Sequence, residues 1–67
     1  MDIKAYLKNQ NITQTAFAKQ IGITKQLLNW HLQNPQSGWK RNIAEKIVKT
    51  IYGEIIKEKV VDLMYGN

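Results

Sequence analysis

The stretch that decides the fold spans residues 12–33 and reads ITQTAFAKQIGITKQLLNWHLQ. Thr13 and Thr24 each stand just before a run whose apolar residues recur at helical spacing, as N-cap residues do. Gly22 lies between the two runs, where a helix that ends in a left-handed residue favours glycine. The stretch therefore predicts a helix over 14–21, a short turn, and a second helix that continues to the end of the stretch.

The spacing of small and apolar residues within this stretch fits two helices that cross closely. Ala18 offers a small side chain at the predicted crossing, and Leu28, ten positions later, fills the angle between the helices. Ile21 and Ile23 flank the turn and bury it. These offsets are typical of a helix-turn-helix arrangement, whereas a generic small helical bundle with a similar turn is the alternative.

The rest of the chain predicts three further helices. Asp2 is suited to cap a helix over 2–8, and apolar residues at helical spacing predict another over 40–51, which a glycine ends. The last segment is ambiguous, because its β-branched residues favour a strand while one helical face is also apolar. We interpret it as an extended link at 53–55 and a helix over 57–63.

Together these segments predict an all-α fold of five short helices in a single domain over 1–67. The alternative has three to four helices and a C-terminal β-hairpin over 46–61. A chain of 67 residues forms one small domain with a correspondingly small core.

Composition argues against several classes of function. The chain has no cysteine and one histidine, His31, so it lacks the ligands of a thiolate or histidine metal site. It has no glycine-rich phosphate loop and no pair of acidic residues spaced for acid–base chemistry. We therefore expect no enzyme, no cofactor, no metal and no small-molecule substrate. No apolar run approaches the ~20 residues that span a bilayer, and the N-terminus lacks a signal peptide's apolar region, so we expect no membrane association and a cytoplasmic setting.

The distribution of charge indicates a polyanionic partner. The net charge is +5, and all of it lies before Glu45, because residues 45–67 are balanced. Residues 3–44 contain no carboxylate. Such a segment suits DNA, RNA or an anionic membrane surface. RNA recognition typically uses aromatic residues exposed on a sheet, and the helical pattern argues against that mode.

A helical wheel separates two faces on the second helix of the decisive stretch. With Leu28 at the buried centre, residues 24, 31 and 32 fall beside it, and Leu27 falls at the border. Lys25, in the first turn, is placed to reach a guanine edge or a phosphate. Amides both donate and accept hydrogen bonds, as adenine in the major groove requires, although a merely polar face is the alternative. The outward face, about 100° to 200° from the centre, carries Gln26, Asn29, Trp30 and Gln33.

The chain also resembles a known family. Residues 12–29 are similar to the helix-turn-helix of phage Cro and repressor proteins. Trp39-Lys40 and residues 42–63 (NIAEKIVKTIYGEIIKEKVVDL) look like the C-terminal half of small Cro-like regulators of the YdaS type. The resemblance implies a lambda-repressor-like, double-stranded-DNA-binding domain: a prophage-type transcriptional repressor that binds a palindromic operator as a homodimer. The alternative is an antitoxin-like interaction module that also binds DNA and docks a partner protein on its apolar C-terminus.

The resemblance further implies a role for each candidate DNA-binding residue. Gln14, first in the leading helix of the motif, and Thr15 beside it match positions that bind phosphate. Lys40 and Arg41 match a basic region that lies along the phosphate backbone, and Asn42 either joins them or caps the helix. The positions that face bases or backbone on the recognition helix are Thr24, Lys25, Gln26, Asn29 and Trp30.

Trp30 and His31 depart from the family pattern. Trp30 replaces a usually polar residue, and it either stacks on sugar, contacts a thymine methyl or covers the preceding helix. His31 replaces an aliphatic residue, and we interpret it as a half-buried structural side chain rather than a ligand or a pH switch. We expect Trp39 to bury most of its ring.

The last segment has more apolar residues than one core needs. A helix that is apolar beyond one stripe generally covers two surfaces. We expect Ile56, Val60 and Leu63 to face the core, and a second copy of the chain to cover some of Ile55, Val61, Met64 and Tyr65.

Overall fold

The computed structural model describes residues 2–66, which form five α-helices and contain no strand. The all-α class predicted from the sequence is confirmed. The alternative β-hairpin over 46–61 is wrong, since that range holds the end of one helix, a short link and the start of the next. In chain order the helices are α1 (Ile3–Gln10), α2 (Gln14–Ile21), α3 (Lys25–Gln33), α4 (Arg41–Tyr52) and α5 (Lys57–Tyr65).

Side-chain caps fix the starts of the first three helices. The side chains of Asp2, Thr13 and Thr24 accept hydrogen bonds from backbone N–H groups three residues later, at 3.0, 3.1 and 3.1 Å. Each bond satisfies a donor that the helix itself leaves free. These local signals explain why the predicted bounds of α2 are the observed ones.

The start of α4 differs from the prediction by one residue. Lys40 is the N-cap and makes no side-chain cap hydrogen bond, and the helix begins at Arg41. The interpretation of Asn42 as the cap is therefore wrong, because Asn42 is the second residue within the helix. Its side chain is exposed, so its other predicted role, beside the two cations, stays a prediction.

The core lies where α2, α3 and α4 meet and extends along α4 to α5. Leu28 and Ala18 are buried, as the spacing of the decisive stretch predicts. The core residues of α5 are Val60 and Leu63, with Ile56 packed at the edge, which also agrees with the prediction. The complete set of buried residues is Ile3, Leu7, Phe17, Ala18, Ile21, Leu28, Trp39, Ala44, Ile47, Val48, Val60 and Leu63.

The loop between α3 and α4 is held by backbone contacts to the C-terminal end of α5. The N–H of Trp39 donates to the carbonyl of Leu63 at 2.9 Å. Gly38 lies so close to α5 that a Cβ there would overlap the carbonyl group of Met64. Glycine is needed at this position for close approach, and the approach fixes the end of the loop that leads into α4.

Gly38→Ala should lower the free energy of unfolding by about 1–3 kcal/mol, because the added methyl has no room. In a Trp30→Phe background, where Trp39 is the one remaining tryptophan, it should also shift Trp39 emission to longer wavelength as the loop lifts from α5. Gly53→Ala is the matched control. Its φ of +82° makes alanine strained, but no atom lies within 4 Å of the added methyl, so it separates backbone strain from steric overlap. Urea unfolding followed by tryptophan fluorescence measures both effects. A native emission spectrum for Gly38→Ala would contradict the close contact.

Candidate nucleic-acid interface

A tight turn joins α2 to α3 and sets the position of α3. Gly22 ends α2 with φ of 76°, and the N–H of Ile23 donates to the carbonyl of Ala18 at 2.9 Å. A positive φ costs glycine little. Leu28 is the only fully buried residue of α3, so one side chain anchors the helix and its opposite side faces solvent.

The outward face of α3 comprises Gln26, Asn29, Trp30 and Gln33, and all four side chains are exposed. This agrees with the helical wheel. Leu27, predicted at the border of the buried side, is 43% exposed and so adds a second apolar group to the accessible surface of α3. The helix has no acidic residue, so nothing on it repels a polyanion.

The remaining candidate residues lie at the starts of three helices. Thr15 and Gln14 occupy the first turn of α2, with Thr15 exposed and Gln14 half-buried. Thr24 uses its hydroxyl oxygen to cap α3, which leaves the hydroxyl hydrogen as a donor. The side chains of the basic candidates Lys25, Lys40 and Arg41 are all exposed.

Sequence reasoning missed the stacking of aromatic rings that joins α3 to the start of α4. The imidazole of His31 lies parallel to the indole of Trp39, with ring centroids 3.7 Å apart and planes at 15°. The indole of Trp30 packs edge-on against the imidazole of His31: the two ring centroids lie 5.1 Å apart and the ring planes meet at 88°. We call these three residues the aromatic stack. Because Lys40 and Arg41 directly follow Trp39, the stack also ties the basic segment to α3.

Burial defines the two ends of the aromatic stack. Trp39 is 8% exposed, as expected for a mostly buried ring, whereas Trp30 is 50% exposed. His31 between them is half-buried, in agreement with its interpretation as a structural side chain. Its Nδ1 atom is buried and makes no hydrogen bond within residues 2–66. The stack therefore runs from the core to the accessible surface of α3.

Lys46 is a second residue that sequence reasoning missed. Its ammonium nitrogen lies 3.2 Å from where a Cβ on Gly22 would stand, so this cation of α4 reaches the turn between α2 and α3. No local pattern signals such a contact, because it depends on how α4 packs against α2. The contact adds positive charge beside the end of α2.

Burial lowers the pKa of His31 below its usual value of 6.5. Removing the imidazole from water disfavours its charged form. The ring is therefore neutral at neutral pH, and the aromatic stack carries no charge of its own.

Two other features are absent from the part of the chain that the structure describes. Within residues 2–66, no three His, Cys, Asp or Glu side chains gather where they could hold a metal ion. None of the helices there combines the length and the apolar content needed to cross a membrane. The chain matches no protein-family model, no curated protein and no solved structure. What the interface binds must therefore be inferred from its own chemistry.

The lowered pKa of His31 makes stability depend on pH. Above 6.5 the imidazole is neutral in both folded and unfolded chains; as the pH falls, the unfolded chain takes up the proton first. We expect the wild-type free energy of unfolding to drop below pH 6.5, relative to that of His31→Phe, until the folded pKa is passed. Urea unfolding of both proteins from pH 8 to pH 5 measures the difference. Parallel curves would contradict the desolvation of His31.

Proposed function

We propose that this chain is a sequence-specific regulator that binds double-stranded DNA through α3, in the manner of a Cro-like prophage repressor. The observation that carries the proposal is the outward face of α3. It presents exposed amides at Gln26, Asn29 and Gln33 on a helix that Leu28 anchors from behind. A solvated helix face more often carries Glu and Lys, and this face carries neither.

The amides suit base recognition in the major groove. A carboxamide donates and accepts at once, which matches the N6 donor and N7 acceptor of adenine. An α-helix such as α3, with its side chains, is about 10–12 Å across, and the major groove, about 12 Å wide, admits one α-helix. Gln26 and Asn29 are three positions apart and so are neighbours on the helix surface, placed to contact adjacent base pairs.

The charges suit the phosphate backbone. Lys40 and Arg41 are exposed at the start of α4, and Gln14 and Thr15 lie at the start of α2, where backbone N–H groups are free. Phosphate contacts position a protein on the duplex without reading sequence. Thr24 and Lys25 lie at the start of α3, and both are exposed. The proposal therefore assigns positioning to the helix starts and sequence recognition to the outward face of α3.

The size of one copy supports a dimer. Half-sites one helical turn apart lie ~34 Å from each other, whereas the Cα extents of the chain are 26 × 24 × 20 Å. One copy cannot span both half-sites, so a palindromic operator needs two. Val61, Met64 and Tyr65 fall within about 100° of arc on α5, and Tyr65 is 82% exposed. This apolar face of α5 is the proposed contact between copies, with Ile55 at its edge.

The exposed apolar face of α5 also supports the second candidate function, an antitoxin-like module that binds DNA and a partner protein. The two functions predict different behaviour of purified protein. A homodimer forms from the pure chain, whereas a module of the second kind stays monomeric until its partner is added. Both candidate functions are binding functions and involve no catalysis. Both place the protein in the compartment that holds the DNA, which in a bacterium is the cytoplasm.

Selection of bound sites from random duplexes at fixed salt tests the proposed function. We expect enrichment of an inverted repeat with half-site centres about one helical turn apart. Enrichment of an unpaired half-site would support DNA recognition without the dimer. Recovery of random sequence would contradict the proposal that α3 reads bases.

Two single substitutions should separate sequence recognition from positioning. Gln26→Ala should cost ~1–3 kcal/mol on the selected site and little on random DNA, because an amide–base contact carries sequence information. Arg41→Ala should weaken both by similar factors and reduce the log–log salt slope by roughly 0.9, the value for one lost phosphate contact. Fluorescence anisotropy over a salt series measures both. If Gln26→Ala lost equal binding free energy on the selected site and on random DNA, Gln26 would have no role in base recognition.

Val61→Glu should weaken operator binding because it places a carboxylate in the proposed contact between copies; since Val61 and Arg41 line the same cavity, the change in assembly, and not the loss of affinity alone, tests this contact. Binding should become steeper in protein concentration as the monomer–dimer equilibrium shifts. Lys59→Gln is the matched control: it lowers net charge by the same amount and lies about 200° away around α5. Sedimentation with and without operator measures the assembly. Two folded Val61→Glu chains per operator at full affinity would contradict this dimer contact.

A further inference from the structure

We propose that Trp30 is a specificity-determining residue that contacts a thymine C5-methyl group, and that His31 is the positioning residue that holds the Trp30 ring. The inference rests on the proposed function and extends it. The thymine methyl is the base feature that Trp30 recognises, and the packing of His31 is the contact that holds the Trp30 ring in place for it.

The first observation is that Trp30 is both accessible and held. Half of its surface faces solvent, yet its ring packs edge-on against His31 with centroids 5.1 Å apart. His31 is itself fixed, because its ring stacks on the buried Trp39 at 3.7 Å. A further contact holds the backbone beneath Trp30: the Asn34 amide donates to the Trp30 carbonyl at 2.8 Å. A large apolar group held in place at the surface loses little conformational freedom on binding.

The second observation is the chemistry that surrounds Trp30. Gln26 and Gln33 lie one helical turn before and after it, and all three side chains are exposed. A partner for this surface must offer hydrogen-bonding edges beside an apolar group. Negative charge on the partner is also favoured, because residues 3–44 carry six lysine and arginine side chains and no carboxylate. The major-groove edge of an A·T pair offers the adenine amide-binding pattern and the thymine methyl side by side.

His31 acts through Trp30 and does not itself contact DNA in this proposal. Its ring contacts both Trp30 and Trp39, and its buried Nδ1 atom makes no hydrogen bond within residues 2–66. The packing against Trp39 orients the His31 ring and, through it, the Trp30 ring. A phenyl ring at this position preserves the packing, whereas a methyl group removes it.

Replacing thymine by uracil tests the methyl contact directly, because the substitution removes only the C5-methyl group. Each thymine of the selected site is replaced in turn by deoxyuridine in one strand. Wild-type protein should lose affinity about fourfold at one thymine of a half-site, the value for one buried methyl. Trp30→Ala should bind both duplexes more weakly but equally, so that the uracil penalty falls to about onefold.

Leu27→Ala is the matched control, since it shortens the other exposed large apolar side chain of α3. It should keep the fourfold penalty at that thymine. A penalty that persists in Trp30→Ala, or that disappears in Leu27→Ala instead, overturns the assignment to Trp30. A wild-type protein with no penalty at any thymine also overturns it.

Two substitutions of His31 test the positioning role. His31→Ala should reduce the uracil penalty toward onefold, and His31→Phe should restore it, although neither residue touches the base. Retained helical circular dichroism confirms that both variants fold. In wild-type protein the ring-proton resonances of His31, the chain's one histidine, should be shifted upfield by the Trp39 indole, and Trp39→Leu should abolish the shift. An unchanged penalty in His31→Ala overturns the positioning role.

The possible failures are distinguishable. Wild-type protein that enriches no site from random duplexes contradicts the proposed function and this inference together. A protein that selects a site and loses discrimination in Gln26→Ala, but shows no uracil penalty, supports the proposed function and overturns this inference alone.

Discussion

The burial of Leu28 is the constraint on which the rest of the arrangement depends. It is the one buried residue of α3, and it belongs to a core cluster that also contains residues of α2 and α4. A helix of nine residues is too short to be stable alone in water, so its position comes from tertiary packing. Because Leu28 is the one buried residue of α3 and Leu32 packs only partly buried beside it, the opposite side of α3 stays available for a ligand.

A narrow anchor leaves a helix free to roll about its axis, and the aromatic stack supplies a second fixed point. His31 and Trp39 lie near the C-terminal end of α3, whereas Thr24 and the Gly22 turn fix its N-terminal end. The three constraints together define both the position and the rotation of the helix. For the proposed base recognition this rotation matters, because an amide misdirected by a fraction of a turn cannot make two hydrogen bonds to one base.

Local signals allowed most of the fold to be predicted, and non-local contacts account for what was missed. Thr13, Thr24 and Gly22 act on the backbone within three residues of themselves, so the bounds of α2 follow from the sequence alone. The same reasoning misplaced the start of α4, because Lys40 caps it without a side-chain bond that a pattern can reveal. The exposure of the outward face of α3 was predicted from the helical periodicity of the sequence. The stacking of His31 on Trp39 could not be predicted in this way, since it depends on how the loop after α3 folds back onto the helix.

The contact between the Trp39 N–H and the Leu63 carbonyl is made by backbone alone, and this has a consequence for how such a protein diverges. Substitutions along α5 leave the Leu63 carbonyl in place, so the exposed side chains of that helix can change during evolution while the loop stays hydrogen-bonded to it. Under the proposed function, a lineage can then change which chain it associates with and still bind the same DNA site. Gly38 is the exception, because its lack of a side chain is part of the contact. Duplicated copies would accordingly acquire new assembly preferences before new binding sites.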